Sequence, residues 1–86
     1  MRVEVQHTDR CPNAGTLISY LRQRGDIELV LTLVNQDLPV PDDFAGSPTV
    51  LIDGVNPFAR GRVAAPACAL FPPTIAELET HLPREQ

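Results

Sequence analysis

The chemistry that this 86-residue sequence offers most plainly is thiol chemistry, at Cys11 and Cys68. Cys11 is followed by Pro12, at the point where a strand pattern changes to a helix pattern. A cysteine at the N-cap of a helix faces unpaired backbone N–H groups and the positive end of the helix dipole, and both lower the pKa of its thiol. The sequence therefore predicts a thiolate at Cys11, the form that attacks disulfides and binds soft metals.

Hydrophobic spacing defines the elements on either side of this cysteine. Apolar and polar residues alternate over residues 2–8, which predicts a strand. Apolar residues then recur at intervals of three and four, which predicts a helix over residues 12–24; they are Ala14, Leu17, Ile18 and Leu21. Proline suits the first helical position, because the N–H that it lacks has no helical partner there. We therefore expect Cys11 at the N-cap and Pro12 as the first residue of the helix.

The rest of the chain continues a mixed α/β pattern. An almost wholly apolar run at residues 27–34 predicts a second strand, covered on much of both faces and parallel to the first. A short third strand is predicted at 49–53, and a fourth strand, with weaker strand composition, at 67–71. Thr74 and Glu77 have the spacing of a capping box, which predicts the start of a final helix.

Two segments without a regular pattern connect these elements. Residues 35–47 are rich in proline and aspartate, which predicts a surface connection with one helical turn near 42–45. Residues 55–66 form a loop longer than a hairpin needs, and such loops often carry function. This loop could reach over the site or pair with a second chain.

Length and charge limit the possible functions. The chain is long enough for one domain, residues 1–86, with a single modest core. A formal net charge of −4 and the lack of any cluster of basic residues argue against a nucleic acid or an acidic membrane surface as partner. No apolar run approaches the roughly 20 residues that span a bilayer, and no secretory signal pattern precedes the first strand. We expect a cytoplasmic protein without a cofactor, and the oligomeric state stays open.

Longer motifs resemble a known group of proteins. They are DRCPN at residues 9–13, FAGSPTVLIDG at 44–54 and NPF at 56–58, followed by Cys68. Together they resemble short bacterial proteins of the thioredoxin-like superfamily, some of which are labelled alkylmercury lyase-like. The resemblance covers most of the chain, and the string at 46–54 is its most specific part.

The resemblance implies a thioredoxin-like three-layer α/β sandwich, in which a four-stranded mixed sheet has helices on its faces and an antiparallel third strand. It implies that Pro48 is a cis-proline opposite Cys11. It also implies a partner that is a thiol-containing small molecule, such as glutathione, or a protein. This partner would be held by Pro12, by the backbone of Ser47 and by the adjoining Pro48 and Thr49.

The sequence departs from the thioredoxin motif Cys-x-x-Cys, because Ala14 stands where the second cysteine would be. Three mechanisms stay open. Cys11 could form a mixed disulfide that an external thiol resolves, Cys68 could be the resolving thiol, or the fold could bind a partner without redox chemistry. A disulfide between the two cysteines requires Cα atoms within about 7 Å of each other. Cys68, between Ala67 and Ala69, is explained equally well as a small buried apolar residue.

Soft-metal binding is a further alternative. Cys11 and Cys68 could form a linear two-thiolate site for an ion such as mercury or copper(I). No set of four ligands with zinc spacing is visible in the sequence, so we expect no resident metal, and nothing favours carbon–mercury cleavage. The leading hypothesis is thiol-disulfide or thiol-adduct chemistry, as in a thiol-disulfide oxidoreductase, with Cys11 and Cys68 as the candidate catalytic residues.

Overall fold

The chain folds in the order strand, helix, strand, strand, helix. The structure is a computed structural model, and it describes residues 1–9, 11–35, 37, 39–58, 65–69 and 72–82. The elements lie at boundaries close to those predicted: β1 (Arg2–His7), α1 (Pro12–Arg22), β2 (Glu28–Leu33), β3 (Thr49–Ile52) and α2 (Ile75–His81).

β1 is the central strand of a sheet with the order β2-β1-β3. β2 lies parallel to β1 and β3 antiparallel, with Val5 opposite Leu31 on one side and opposite Val50 on the other. α1 connects the two parallel strands, which confirms the predicted strand-helix-strand unit and the antiparallel third strand. β1 is hydrogen-bonded to a strand on each side. His7, the last residue of β1, therefore has a fixed position just before the segment that leads to Cys11.

The prediction of a four-stranded sheet is wrong, because the sheet formed by the described residues has three strands. Within the predicted fourth strand, Cys68 makes a single parallel bridge with Ser47, and residues 70–71 lie outside the described residues. The composition explains this shortness. Alanine is depleted in strands, and Pro66 and Pro72 bound the stretch on either side.

The hydrophobic core lies between one face of the sheet and the two helices, so the prediction of a three-layer sandwich with helices on both faces of the sheet is wrong. Its buried residues come from every element except β2 and include two residues outside the elements, one after β3 and one at the C-cap of α2; they are Val3, Val5, Leu17, Leu21, Val50, Phe58, Leu78 and Leu82. α1 buries Ala14, Leu17 and Leu21, which confirms the predicted apolar stripe. The predicted capping box of Thr74 and Glu77 starts α2. In the described part of the chain, no helix is long and apolar enough to cross a membrane.

The prediction that other residues cover much of both faces of β2 is wrong. β2 is an edge strand, and its residues Leu31 and Leu33 are 37% and 42% exposed. The fully buried pair Val3 and Val5 belongs instead to the central strand β1. An apolar run indicates a strand, but its position in the sheet depends on the order in which the strands pair, which composition does not reveal.

Buried side chains connect the sheet to the segment that precedes Ser47. The Gln6 amide nitrogen donates to Asp43 Oδ1 at 2.9 Å, and Gln6 is almost fully buried. Where the sequence predicts a helical turn, the Phe44 N–H donates to the Pro41 carbonyl oxygen at 3.1 Å, which closes a turn. The fully buried Phe44 then anchors the chain just before Ser47.

β3 ends in a tight turn. Ile52 and Val55 exchange backbone hydrogen bonds of 2.8 and 3.1 Å across Asp53 and Gly54, whose φ angles are 50° and 86°. Of the loop predicted at 55–66, residues 59–64 lie outside the described residues.

Candidate functional site

Cys11 is the N-cap residue of α1, as predicted. Its backbone is extended, with φ −90° and ψ 107°, and Pro12 is the first helical residue. The backbone N–H groups of Ala14 and Gly15 donate to the Cys11 carbonyl oxygen at 3.1 and 3.3 Å. The neutral Cys11 thiol makes no capping hydrogen bond, but the backbone N–H groups of Asn13 and Ala14 lie close enough to stabilise its thiolate.

Ser47 contacts Cys11 from a distant part of the sequence. The Cys11 thiol donates to the Ser47 carbonyl oxygen, with an Sγ–O distance of 3.6 Å. The Thr8 backbone N–H donates to Ser47 Oγ at 3.0 Å, which ties this segment to the end of β1. Because the oxygen accepts from Thr8, the hydroxyl hydrogen of Ser47 can be directed at the Cys11 sulfur. Ser47 is fully buried, which strengthens these contacts.

Cys68 also lies next to Ser47. In their parallel bridge, the Ser47 N–H donates to the Ala67 carbonyl oxygen at 2.7 Å, and the Ala69 N–H donates to the Ser47 carbonyl oxygen at 2.9 Å. The bridge places Cys68 beside the residue that contacts the Cys11 sulfur, and the two thiols shift each other's pKa. Cys11 is 6% exposed, Cys68 is exposed, and both thiols are free. The interpretation of Cys68 as a buried apolar residue is therefore wrong, and the two cysteines form one site.

Hydrogen bonds at this site favour the ionised form of Cys11. Burial raises the pKa of the Cys11 thiol, but the donors around the sulfur outweigh burial and hold the pKa below that of a free cysteine. These donors are the Cys68 thiol, the Ser47 hydroxyl and the backbone N–H groups of Ala14 and Asn13. The hydrogen bond to Cys11, partial burial and the charge on Cys11 raise the pKa of Cys68. Cys11 is therefore the first of the two thiols to ionise.

Thr49 holds the turn that carries Ser47 and Pro48. Its hydroxyl donates to the Gly46 carbonyl oxygen at 2.6 Å and accepts from the Ala45 N–H at 2.8 Å. The peptide bond between Ser47 and Pro48 is cis, and the whole turn is buried. The Thr49 hydroxyl therefore stabilises the turn through two hydrogen bonds to its backbone.

The residues expected to hold a partner are mostly engaged inside the chain. Residues 67–69 take both the N–H and the carbonyl group of Ser47. Pro48 and Thr49 are buried, whereas Pro12 is exposed. Of these four residues only Pro12 is open to a partner in the structure.

An open groove of about 520 Å³ lies beside Cys11. Its described lining comes from the end of β1 and the first two turns of α1: His7, Thr8, Asp9, Cys11, Pro12, Ala14, Gly15 and Ile18. Sequence reasoning missed this groove. The available signal was the spacing of Cys11, Gly15 and Ile18, at positions i, i+4 and i+7 of one helix, which places them on one face.

Gly15 is an unusual residue for the interior of α1. A Cβ atom at this position would have no other atom within 4 Å, so packing does not require glycine. Its φ angle is not in the left-handed region that favours glycine either. A glycine inside a helix is less stable than alanine by about 1 kcal/mol. Glycine at position 15, which lines the groove, therefore makes α1 less stable than alanine would.

The described residues include no group of three or more histidine, cysteine or acidic side chains that could hold a metal ion. The site is thus a pair of thiols, one buried at a helix N-terminus and one exposed on a neighbouring segment. Comparisons with the profiles of known protein families, with curated proteins and with solved structures found no match. Fold and site together define a small α/β domain with two free cysteines at one end of its central strand.

Proposed function

We propose that this protein catalyses thiol-disulfide exchange, with Cys11 as the nucleophile and Cys68 as the resolving thiol. The observation that supports this most directly is that both cysteines meet at Ser47, one through its sulfur and the other through a backbone bridge. The lowered pKa of Cys11 adds support, because the thiolate is the attacking species. The raised pKa of Cys68 suits a thiol that reacts second.

The first step joins the protein to its substrate. The Cys11 thiolate attacks one sulfur atom of a disulfide R–S–S–R′, a Cys11–S–S–R bond forms, and the S–S bond of the substrate breaks. The leaving thiolate R′S⁻ takes a proton from solvent. The hydrogen bonds from Ser47 and the helix N-terminus are released from the sulfur at this stage, because the mixed disulfide carries no charge.

The second step returns the substrate as two thiols. Cys68 loses its proton to solvent and attacks the Cys11 sulfur, and the bond between the Cys11 sulfur and the R sulfur breaks. RS⁻ leaves and takes a proton from solvent, and Cys11 and Cys68 are joined by a disulfide. The substrate gains two electrons and the protein loses them. Two molecules of an external thiol reverse the protein's oxidation and complete the cycle. Because the resolving thiol comes from a distant segment, Ala14 is no obstacle to this chemistry.

The proposal includes a relationship to thioredoxin-like proteins, which rests on Cys11, Pro12 and the stretch at 46–54. It also includes a cytoplasmic location, because a pair of thiols that cycles with external thiols requires a reducing compartment. The partner is a disulfide or thiol of a small molecule or protein. A nucleic acid is a poor partner for a chain of net charge −4.

Substitution of Cys68 tests the coupling between the thiols. Cys68→Ala removes a hydrogen-bond donor to the Cys11 thiolate, so we expect a higher pKa of Cys11 and a several-fold slower alkylation at pH 7. Cys68→Ser keeps a donor of similar size and should raise the pKa less. The pKa is measured from the pH dependence of thiolate absorbance and of the alkylation rate. Equal pKa values of Cys11 in the wild type and in Cys68→Ala would contradict the proposed pairing.

Soft-metal binding is the second candidate, and the same proximity of the two thiols favours it. Two thiolates suit the linear coordination of an ion such as copper(I). We expect such a site to bind one copper(I) ion per chain, and to lose it in both Cys11→Ser and Cys68→Ser. The measurement is native mass spectrometry with a competing chelator. Copper(I) binding that survives loss of either thiol excludes this candidate.

A non-catalytic binding module is the remaining alternative. It is favoured if the pKa of Cys11 is not lowered and Cys11 does not react with alkylating reagents.

A further inference from the structure

The groove beside Cys11 is open space next to the proposed nucleophile. Cys11 lines the groove, whereas neither Ser47 nor Cys68 is among the described residues of its lining. In thiol-disulfide exchange the attacking sulfur, the central sulfur and the leaving sulfur lie close to one line. When Cys68 attacks Cys11, the leaving sulfur is therefore on the side away from Cys68, and the groove is the described open space beside Cys11 that can take the group attached to it.

We propose that this groove binds the organic group R of the Cys11–S–S–R mixed disulfide, and that R is uncharged and apolar. This inference rests on the proposed function. The wall formed by Pro12, Ala14 and Ile18 offers only apolar side chains to the groove. Asp9 adds an exposed carboxylate to the lining, which disfavours an anionic R.

Gly15 supplies an independent observation for the same groove. It lies one turn after Cys11 on the groove side of α1, and neither packing nor its φ angle requires glycine there. A side chain at this position would extend into open space next to Cys11. The absence of a side chain keeps room for R beside the reacting sulfur.

The first test measures the preference of Cys11 for R. In the Cys68→Ser chain Cys11 is the only thiol, and a methanethiosulfonate R–S–SO₂CH₃ converts it to Cys11–S–S–R with release of methanesulfinate. The probes are benzyl methanethiosulfonate, which is apolar, and 2-sulfonatoethyl methanethiosulfonate, which is anionic. Each rate is divided by the rate of 2-mercaptoethanol with the same probe. We expect the corrected benzyl rate to exceed the corrected sulfonatoethyl rate about tenfold, as burial of part of an apolar ring predicts.

The second test fills the groove. In the same Cys68→Ser background, Gly15→Leu places a side chain in the groove, and we expect it to abolish the preference for the benzyl probe. Thr16→Leu is the matched control, because Thr16 is exposed on α1 but is not among the described residues of the lining. It should keep the preference. Circular dichroism shows whether both variants retain the fold, and the pKa of Cys11 shows whether its ionisation has changed.

The outcomes separate this inference from the proposed function. If Cys11 shows the same probe ratio as 2-mercaptoethanol while the oxidised wild type still forms the Cys11–Cys68 disulfide, the groove inference is overturned and the proposed function stands. A preference that Gly15→Leu leaves unchanged in a folded chain also overturns it. If the wild type forms no such disulfide and Cys11 ionises like a free cysteine, both fail. The probe comparison needs no groove variant, so it remains decisive even if Gly15→Leu does not fold.

Discussion

Mild oxidation of the wild-type chain is expected to join Cys11 to Cys68 and to raise the free energy of unfolding by about 4 kcal/mol. The reason is that the disulfide closes a loop of about 60 residues, and chain entropy lost in the unfolded state scales with the logarithm of that length. Intact mass should fall by two hydrogen atoms per chain without dimer formation. Urea unfolding of the oxidised and reduced proteins measures the gain.

Two single variants are the controls for this experiment. Cys11→Ser and Cys68→Ser each keep a polar side chain of similar size but cannot form the bond, so oxidation should leave their free energies of unfolding unchanged. A wild-type chain that oxidises only to disulfide-linked dimers would show that Cys11 and Cys68 do not meet within one molecule. An internal disulfide that lowers stability would show that its geometry strains the fold.

Gly46→Ala is expected to lower the free energy of unfolding by roughly 3 kcal/mol and to slow formation of the Cys11–Cys68 disulfide. Gly46 has a φ angle of 99°, and a Cβ atom added there would lie 2.9 Å from the Ala69 Cβ. Relief of this clash requires residues 67–69 to move away from Ser47, which separates the thiols. Urea unfolding gives the loss of stability, and the rate of disulfide formation gives the loss of proximity.

Gly54→Ala is the matched control for Gly46→Ala. Gly54 has a similar φ angle of 86°, but a Cβ atom added there has nothing within 4 Å. It therefore reports the backbone strain alone, about 1 kcal/mol, and should leave disulfide formation unchanged. If the two variants have equal effects, the close contact between Gly46 and Ala69 does not hold the Cys68 segment in place.

Local signals in the sequence were sufficient for most elements. The placement of Cys11 at the N-cap and Pro12 at the first helical position depends only on neighbouring residues, as does the capping box at Thr74. The parallel pairing of β1 and β2 follows from the helix between them, since a crossover of that length leads to a parallel neighbour. Each of these features depends either on contacts between residues close in sequence or on the one helical connection between β1 and β2.

Features that depend on distant contacts were predicted poorly. The apolar run of β2 is that of a buried strand, yet pairing order leaves it at the sheet edge. Within its described residues 67–69 the predicted fourth strand makes one bridge, and its alanine-rich composition and flanking prolines do not favour a ladder. The groove beside Cys11 was missed, since it needs the end of β1 and the face of α1 to be placed together.

Cys11 and Cys68 illustrate the two kinds of information. A lowered pKa of Cys11 could be derived in part from sequence, because a helix N-terminus acts on the residue that caps it, although Cys68 and Ser47 lower this pKa more. The role of Cys68 could not, because the residues around it, Ala67 and Ala69, carry no pattern that specifies a partner. Their position depends on two backbone hydrogen bonds to Ser47. Backbone groups are the same in every residue, so such a contact has no signature in the sequence and becomes visible only once the chain has folded.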